Sequence, residues 1–425
     1  MLASAVQAAA VPAFPGAQGY GRFSQGGRGG RIIPVTTLAD AGPGSLRACI
    51  EATVPRVCVF RVGGVIRFTT RRPMITNPYI TIAGQTAPGG GILLTHAGGR
   101  DAYTPLVVKN THDVIVRHIR VRPDRVAWDR GANSAFVIES SRNVIFDHVS
   151  GSWAVDQNMS GYGDNDNITI SWSIFAEGIQ RHDKCALLAS DPIGPQKLSF
   201  AGNLCAHNGD RNPDANFPPG SCVDVVNNVF YNAASQFAEV WESYGGTPIN
   251  IVGNSFRPGP NTSTRSYAVD RPRIGSTGRA RIYLAGTALT GRHLQMLAPI
   301  AMPAVVPRPV CPLQSPLTSA ASSYRAVLAT AGAFPRDSFD DRIVREVRGQ
   351  TGAIPKQAGV LPVIAAGVPY RDDDSDGMDD AWERRNGLDA TRNDAWQHQR
   401  GSAWSNLDRF LDELHRRAVG RDRLI

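Results

Sequence analysis

The sequence predicts an all-β protein, a parallel β-helix with short capping helices, and two observations carry that prediction. From Ile80 onward one eight-residue phrase occurs eight times: ITIAGQTA at Ile80, VIVRHIRV at Val114, VIFDHVSG at Val144, ITISWSIF at Ile168, LSFAGNLC at Leu198, VDVVNNVF at Val223, INIVGNSF at Ile249 and IYLAGTAL at Ile282. Successive starts lie 34, 30, 24, 30, 25, 26 and 33 residues apart, a solenoid period with loops of varying length inserted. Within each phrase the first and third positions are apolar, the alternation of a strand with one buried face. The second observation is the sixth position, which reads Ser173, Asn203, Asn228 and Asn254 in consecutive repeats. Asparagine tolerates left-handed backbone, and its amide can bond the amide one coil away, so aligned asparagines predict a stacked ladder.

The elements follow in chain order. MLASAVQAAAVPA is small and apolar, like the end of an export signal without its basic start, and predicts a secreted protein. AFPGAQGYGRFSQGGRGG is a glycine-rich lead-in, and SLRACIEA is a short helix suited to closing the open end of the solenoid. Six cysteines fit an oxidising compartment; Cys49 and Cys58 are the best pair, because nine residues close a loop between that helix and the strand VCVFRV, the alternative being two buried thiols. Past about Thr290 the repeat fades into PIAMPAVVPRPVCPLQSPLTS, a proline-rich wrap or linker. DDDSDGMDDAWE then matches the calcium-loop pattern D-x-D-x-D-G-x5-E, with Asp372, Asp374, Asp376 and Glu383 as oxygen ligands and Gly377 at the tight turn. No regular helix is evident before it, which predicts a solitary Ca2+ loop; the alternative is an acidic turn that binds nothing firmly. Ser405 and Asp408 suit a capping box for a helix burying Leu407, Phe410, Leu411 and Leu414. The predicted organisation is a signal-like segment over 1–12, the solenoid over 13–300, the wrap or linker over 301–370, and the calcium loop with its helix over 371–425.

Charge narrows the partners. Forty-five basic residues against 37 acidic leave +8, which suits a polyanion: nucleic acid, anionic membrane or acidic polysaccharide. The basic residues are scattered arginines without a Lys/Arg run or nucleic-acid motif, and no apolar run approaches a membrane span, so neither nucleic acid nor membrane is an expected partner. The chain is expected to work as a monomer. Lysine is scarce, four (Lys109, Lys184, Lys197 and Lys356) against 41 arginines, so the ammonium in the turn RHDK stands out. It and Arg211, in the turn DRNP, lie 27 positions apart, about one coil. The plain alternative is a solvated surface lysine, with Arg211 tied to Asp210 or Asp214.

AFPGAQGYG, GGRGG, TTLADAGPGSLR, NPYITIAGQTAPG, VIVRHIRVRP, VIFDHVSGSWAVDQN, ITISWSIFAEG and DRNP, in that order from about Ala13 to Pro260, resemble the pectate lyases of the first polysaccharide lyase family, especially their extracellular microbial branch. The resemblance implies a right-handed coil and cleavage of polygalacturonate by β-elimination. It implies Arg211 as the base that takes the C5 proton, Lys184 as the cation holding the substrate carboxylate, Asp156 as a Ca2+ carboxylate, and Asp147 and His148 as structural support. Removing a proton next to a carboxylate builds further negative charge, so fixed cations favour the transition state over the ground state. A guanidinium holds its proton to about pH 12, so an alkaline optimum is implied. The sequence departs from the family pattern at three places: Asn133 and Ser134 replace a common acidic residue, Gln157 replaces the glutamate after Asp156, and Asn216 replaces a second arginine at the substrate. Asp124, Asp129 and Glu177 are candidate replacements for the missing calcium carboxylates. Two other classes stay open: a β-helix glycoside hydrolase, which needs carboxylates facing one bond, and a non-catalytic carbohydrate-binding or adhesive solenoid.

Overall fold

The computed structural model describes residues 11–96, 104–123, 133–180, 182–291 and 294–421. The chain winds into three parallel sheets of ten, nine and nine strands, and each strand pairs with its equivalents in the neighbouring coils. The eight phrases are consecutive strands of the ten-stranded sheet. Their first residues stand in register: Ile80 opposite Val114, then Val144, Ile168, Leu198, Val223, Ile249 and Ile282. Those eight side chains are at most 2% exposed and form one continuous stack inside the coil. Burial of a stacked aliphatic column supplies the main favourable term, roughly 1.5–3 kcal/mol per side chain, which no coil could realise alone.

The asparagine ladder forms, with a refinement. Ser173 N–H donates to Asn203 Oδ1 at 2.9 Å, Asn203 N–H to Asn228 Oδ1 at 2.8 Å, and Asn228 N–H to Asn254 Oδ1 at 2.8 Å. Asn228 Nδ2 also donates to Asn254 Oδ1 at 2.9 Å. The left-handed residue of this turn is its fifth position, not its sixth: His118, His148, Trp172 and Asn227 have φ of 54°, 53°, 48° and 58°, and glycine serves at 202, 253 and 286. The fifth residue turns the backbone so that the sixth side chain points inward, where the fully buried amides satisfy backbone groups that no solvent reaches.

Two of the three outer faces are covered by added chain. The lead-in lies on the ten-stranded sheet, Gly21 N–H donating to Thr169 Oγ1 at 2.8 Å and Gly27 N–H to Thr81 Oγ1 at 2.9 Å. A Cβ at Gly27 would stand 1.8 Å from the Arg56 carbonyl oxygen, so this lead-in needs glycine to touch the sheet. Helix α1, Leu46–Glu51, is capped by Ser45 and sends Leu46, Cys49 and Ile50 into the core at the end of the coil. Cys49 and Cys58 are bridged, as are Cys185 with Cys205 and Cys222 with Cys311.

The stretch 301–370 is more than the expected proline-rich wrap or linker. It contains helices α2, Ala320–Thr330, and α3, Ser338–Gly349. Val327, Leu328, Phe339, Ile343, Val344 and Val347 pack on Trp153, Ile174, Leu204 and Val229 of the third sheet. Asp337, the cap of α3, and Asp340 receive the fully buried guanidiniums of Arg120 and Arg122, with Arg122 Nη2 at 2.7 Å from Asp340 Oδ1. Ser150 Oγ donates to Asp340 Oδ2 at 2.7 Å. A segment joined to the coil by buried charges is part of its fold.

The C-terminal segment docks on the first coils. No helix stands between Gln350 and Asp379, so the acidic loop is solitary as expected, and α4, Asp380–Arg385, follows it. Helix α5, Asn406–Arg421, starts at the expected box, Ser405 Oγ donating to Asp408 Oδ2 at 2.8 Å and accepting from Asp408 N–H at 3.1 Å. Leu407 and Phe410 join Met378 and Trp382 against Val57, Val59 and Ala83, with Leu411 and Leu414 partly buried at the edge.

Candidate functional site

The remaining nine-stranded sheet positions the cations. Register sets one outward column across it: Val107, Val137, Ser160, Leu187, Asp214, Glu239 and Asp270. The alternate residues, such as Phe136, Met159, Ala238 and Val269, face the core. The column turns from apolar to acidic at Asp214, beside which the sequence-predicted residues gather.

Asp156 immediately precedes the strand Gln157–Tyr162, and Lys184 opens the strand Lys184–Ser190 in the next coil. Gln157 pairs with Lys184, Lys184 bridges Asp210, and Arg211 follows; the three predicted residues therefore stand at the same strand edge in three successive coils. Arg211 takes a left-handed φ of 52°, a conformation costing a non-glycine residue about 1–3 kcal/mol. Backbone bonds hold it there: Ala186 N–H donates to Arg211 carbonyl oxygen at 2.9 Å, and Arg211 N–H to Glu239 Oε1 at 3.3 Å.

Each cation has a carboxylate beside it. Lys184 Nζ binds Asp210 Oδ2, and Arg211 Nε stands 3.3 Å from Asp214 Oδ2. Both side chains keep partial exposure, 15% for Lys184 and 23% for Arg211. Burial pushes the Asp214 carboxyl well above its usual range, and neighbouring Glu239 adds to that; burial likewise raises Glu239. Both shifts weaken the counter-charge that Arg211 meets at Asp214. Asp210 Oδ1, Asp214 Oδ1 and Asn216 Oδ1 are buried and lack a hydrogen-bond partner among the described residues, so the site keeps unused acceptors.

Asp156 is buried, accepting from Tyr162 Oη at 3.1 Å and standing 3.3 Å from His182 Nε2. Burial raises Asp156 and lowers His182. The residues described around it do not fit a calcium shell. Ser134 is bonded to Ser160, and Gln157 Oε1 accepts from Ser160 at 2.7 Å. Glu177 takes Trp153 Nε1 at 2.9 Å and Arg342 at 2.7 Å, and Asp124 and Asp129 lie outside the described residues.

The C-terminal loop does fit a cation. Oxygens of Asp372, Asp374 and Asp376 come within 4.8 Å of one another. Glu383 is fully buried with both carboxylate oxygens unpartnered, as is Asp374 Oδ2. Burial first, then the crowded carboxylates, push Asp376 up to about 7 and Glu383 up to about 8. Gly377 has φ 85°, the tight turn that the pattern requires. Sequence reasoning missed His182 and Glu239; the alternation in FAEVW marks Glu239 as outward-facing, but only register brings it to Asp214.

Fold and site define a parallel β-helix protein with an ammonium and a guanidinium set among carboxylates on one outer face. No family model matches the chain. It is 33% identical over 423 residues to a protein of Aspergillus fumigatus named "Probable pectate lyase C", spanning 93% of this chain and 94% of that one. A relative of the same name from Aspergillus terreus is 33% identical over 414 residues, with the same coverage. Among solved structures, the cedar pollen allergen Jun a 1 superposes with a TM-score of 0.57 at 18% identity, covering 75% of this chain and 92% of that one, a likeness of fold. The chain belongs to the pectate lyase family.

Proposed function

We propose that this protein cleaves α-1,4-linked polygalacturonate by β-elimination, outside the cell, with Arg211 as the base and Lys184 as the cation that seats the uronate carboxylate. The observation that carries the reading is the adjacency of the two cations, one coil apart at one strand edge, with part of each side chain exposed. Arg211, in the neutral guanidine form that a base requires, takes the proton from C5 and becomes guanidinium; the C–H electron pair becomes the C4–C5 double bond, and the C4–O bond breaks with its electron pair. The departing oxygen then takes up a proton, giving a 4,5-unsaturated end. Lys184 leaves Asp210 in part to meet the substrate carboxylate, where charge accumulates as C5 loses its proton. Asn216, which directly follows the strand Asp214–Ala215, is a further substrate contact in this reading. Asp156 anchors His182 beside Lys184. Ca2+ belongs in this reading at Asp372, Asp374, Asp376 and Glu383, where it neutralises buried carboxylates and fixes the C-terminal segment.

An assay with polygalacturonate separates the classes. Ultraviolet absorbance from the unsaturated product is the result expected; new reducing ends without absorbance mark a hydrolase, and neither signal marks a binding protein.

A further inference from the structure

We propose that Asp394, outside the twelve-residue loop, is a fifth carboxylate ligand of the loop's cation, so that one calcium ion ties the loop to the start of helix α5. This rests on the proposed Ca2+ role of the loop. Oxygens of Asp376, Glu383 and Asp394 lie within 4.8 Å of one another, and Asp376 belongs equally to the loop's own triad. All three side chains are buried. The independent sign of a missing ligand is Glu383, fully buried, with neither oxygen bonded. Among the described residues no ion pair reaches Asp374, Asp376, Glu383 or Asp394; Arg61 approaches only Asp372, at 3.7 Å. Converging buried carboxylates without a counter-charge are strongly unfavourable, and a divalent cation is the group that relieves all of them together.

Asp394 is also aimed. Its N–H donates to Asp376 Oδ2 at 3.2 Å, and Asn406 Nδ2 donates to its Oδ1 at 3.0 Å, leaving its other carboxylate oxygen for the ion. Asn406 is the first residue of α5, whose Leu407 and Phe410 pack on Val57 and Val59 of the first coils. The ion thus closes a chain of contacts from the acidic loop through Asp394 and Asn406 to the β-helix. Five carboxylates, one able to bind through both oxygens, suit the six to eight oxygens of Ca2+ better than the strict octahedron of Mg2+.

Calcium titration of the full chain by calorimetry tests this, comparing the parent with Asp394→Asn, which keeps the side-chain shape. The expected result is binding by the parent and at least about tenfold weaker binding by the variant. Parent-like affinity in Asp394→Asn overturns the inference alone, whereas absence of binding in the parent overturns the loop's assignment and this inference with it. Should the variant fail to fold, a calcium-soaked crystal of the parent decides: an Asp394 oxygen at about 2.3–2.6 Å from the ion supports the proposal, and one beyond coordination distance overturns it.

Discussion

Arg211 Nε stands 3.3 Å from Asp214 Oδ2, and Asp214 in turn faces Glu239 in the parallel register. The sequence offered two roles for Arg211, a base at the substrate or an anchor for its own loop, and this contact gives it an anchor without making the roles exclusive. Burial and the neighbouring Glu239 raise the Asp214 carboxyl, which weakens its hold on Arg211. Asp214→Asn keeps a hydrogen-bonding side chain of the same shape and relieves the repulsion with Glu239, so stability is expected to stay within about 1 kcal/mol of the parent's. Chemical denaturation checks this; a loss of several kcal/mol would mean that Asp214 is a full counter-ion.

The acidic loop and the strand edge that carries Asp156, Lys184 and Arg211 should respond separately to substitution. Asp376→Ala removes a buried carboxylate of the proposed cation site, and is expected to lower the melting temperature in calcium while leaving turnover near the parent's. Asp156→Ala, beside His182 at the strand edge, is expected to lower turnover with little change in melting. Equal effects of both on activity would contradict the division.

Breaking the buried charge cluster under α3 should be costly. Asp340→Ala leaves the fully buried guanidiniums of Arg120 and Arg122 with Asp337 as their remaining acid, and a loss of about 3–5 kcal/mol is expected. Urea unfolding measures it. A change under about 1 kcal/mol would show that α3 is a loosely attached appendage.

A histidine chain gives a pH prediction. Phe334 N–H donates to His118 Nδ1 at 3.1 Å, so His118 donates through Nε2 to His415 Nδ1, 3.0 Å away on α5; His148 stacks on His118 and meets His415 edge-on. Burial, then His415 and His148, hold His118 well below its ordinary value, and burial, then Arg117 and His148, bring His415 down to about 2. Unfolded histidines take up protons below about pH 6.5 and these two, while folded, do not, so the unfolded state binds more protons and stability falls as pH falls from 6.5. Each group contributes a slope approaching 1.4 kcal/mol per pH unit in that window. Asp224, raised to about 6, opposes the trend, so the diagnostic quantity is a difference between chains. In saturating calcium, His415→Gln should lose stability less steeply than the parent between pH 6.5 and 5; parallel curves would contradict the assignment.

How much was legible follows from what each feature needs. The coil needs only period-two alternation repeated at one interval, and both survive in the linear sequence, so all eight phrases fall in register. The acidic loop needs twelve consecutive residues and was equally visible. Helices α2 and α3 were hidden by the prolines before them, although Asp337 followed by Phe339, Ile343, Val344 and Val347 carries a cap and a helical apolar stripe. Asp214 with Glu239, and Asp394 with Glu383, are joined only by stacking or docking, and no local pattern in the sequence announces such pairs.

Arg211 is the group proposed to remove the C5 proton. The most direct measurement of that role is the rate of unsaturated-product formation from polygalacturonate by Arg211→Lys, alongside its melting temperature. Lysine keeps a basic nitrogen but changes reach and geometry, so turnover is expected to fall by about 10²- to 10⁴-fold with melting nearly unchanged. Turnover close to the parent's would contradict the account, and a collapse of melting would make Arg211 a structural anchor.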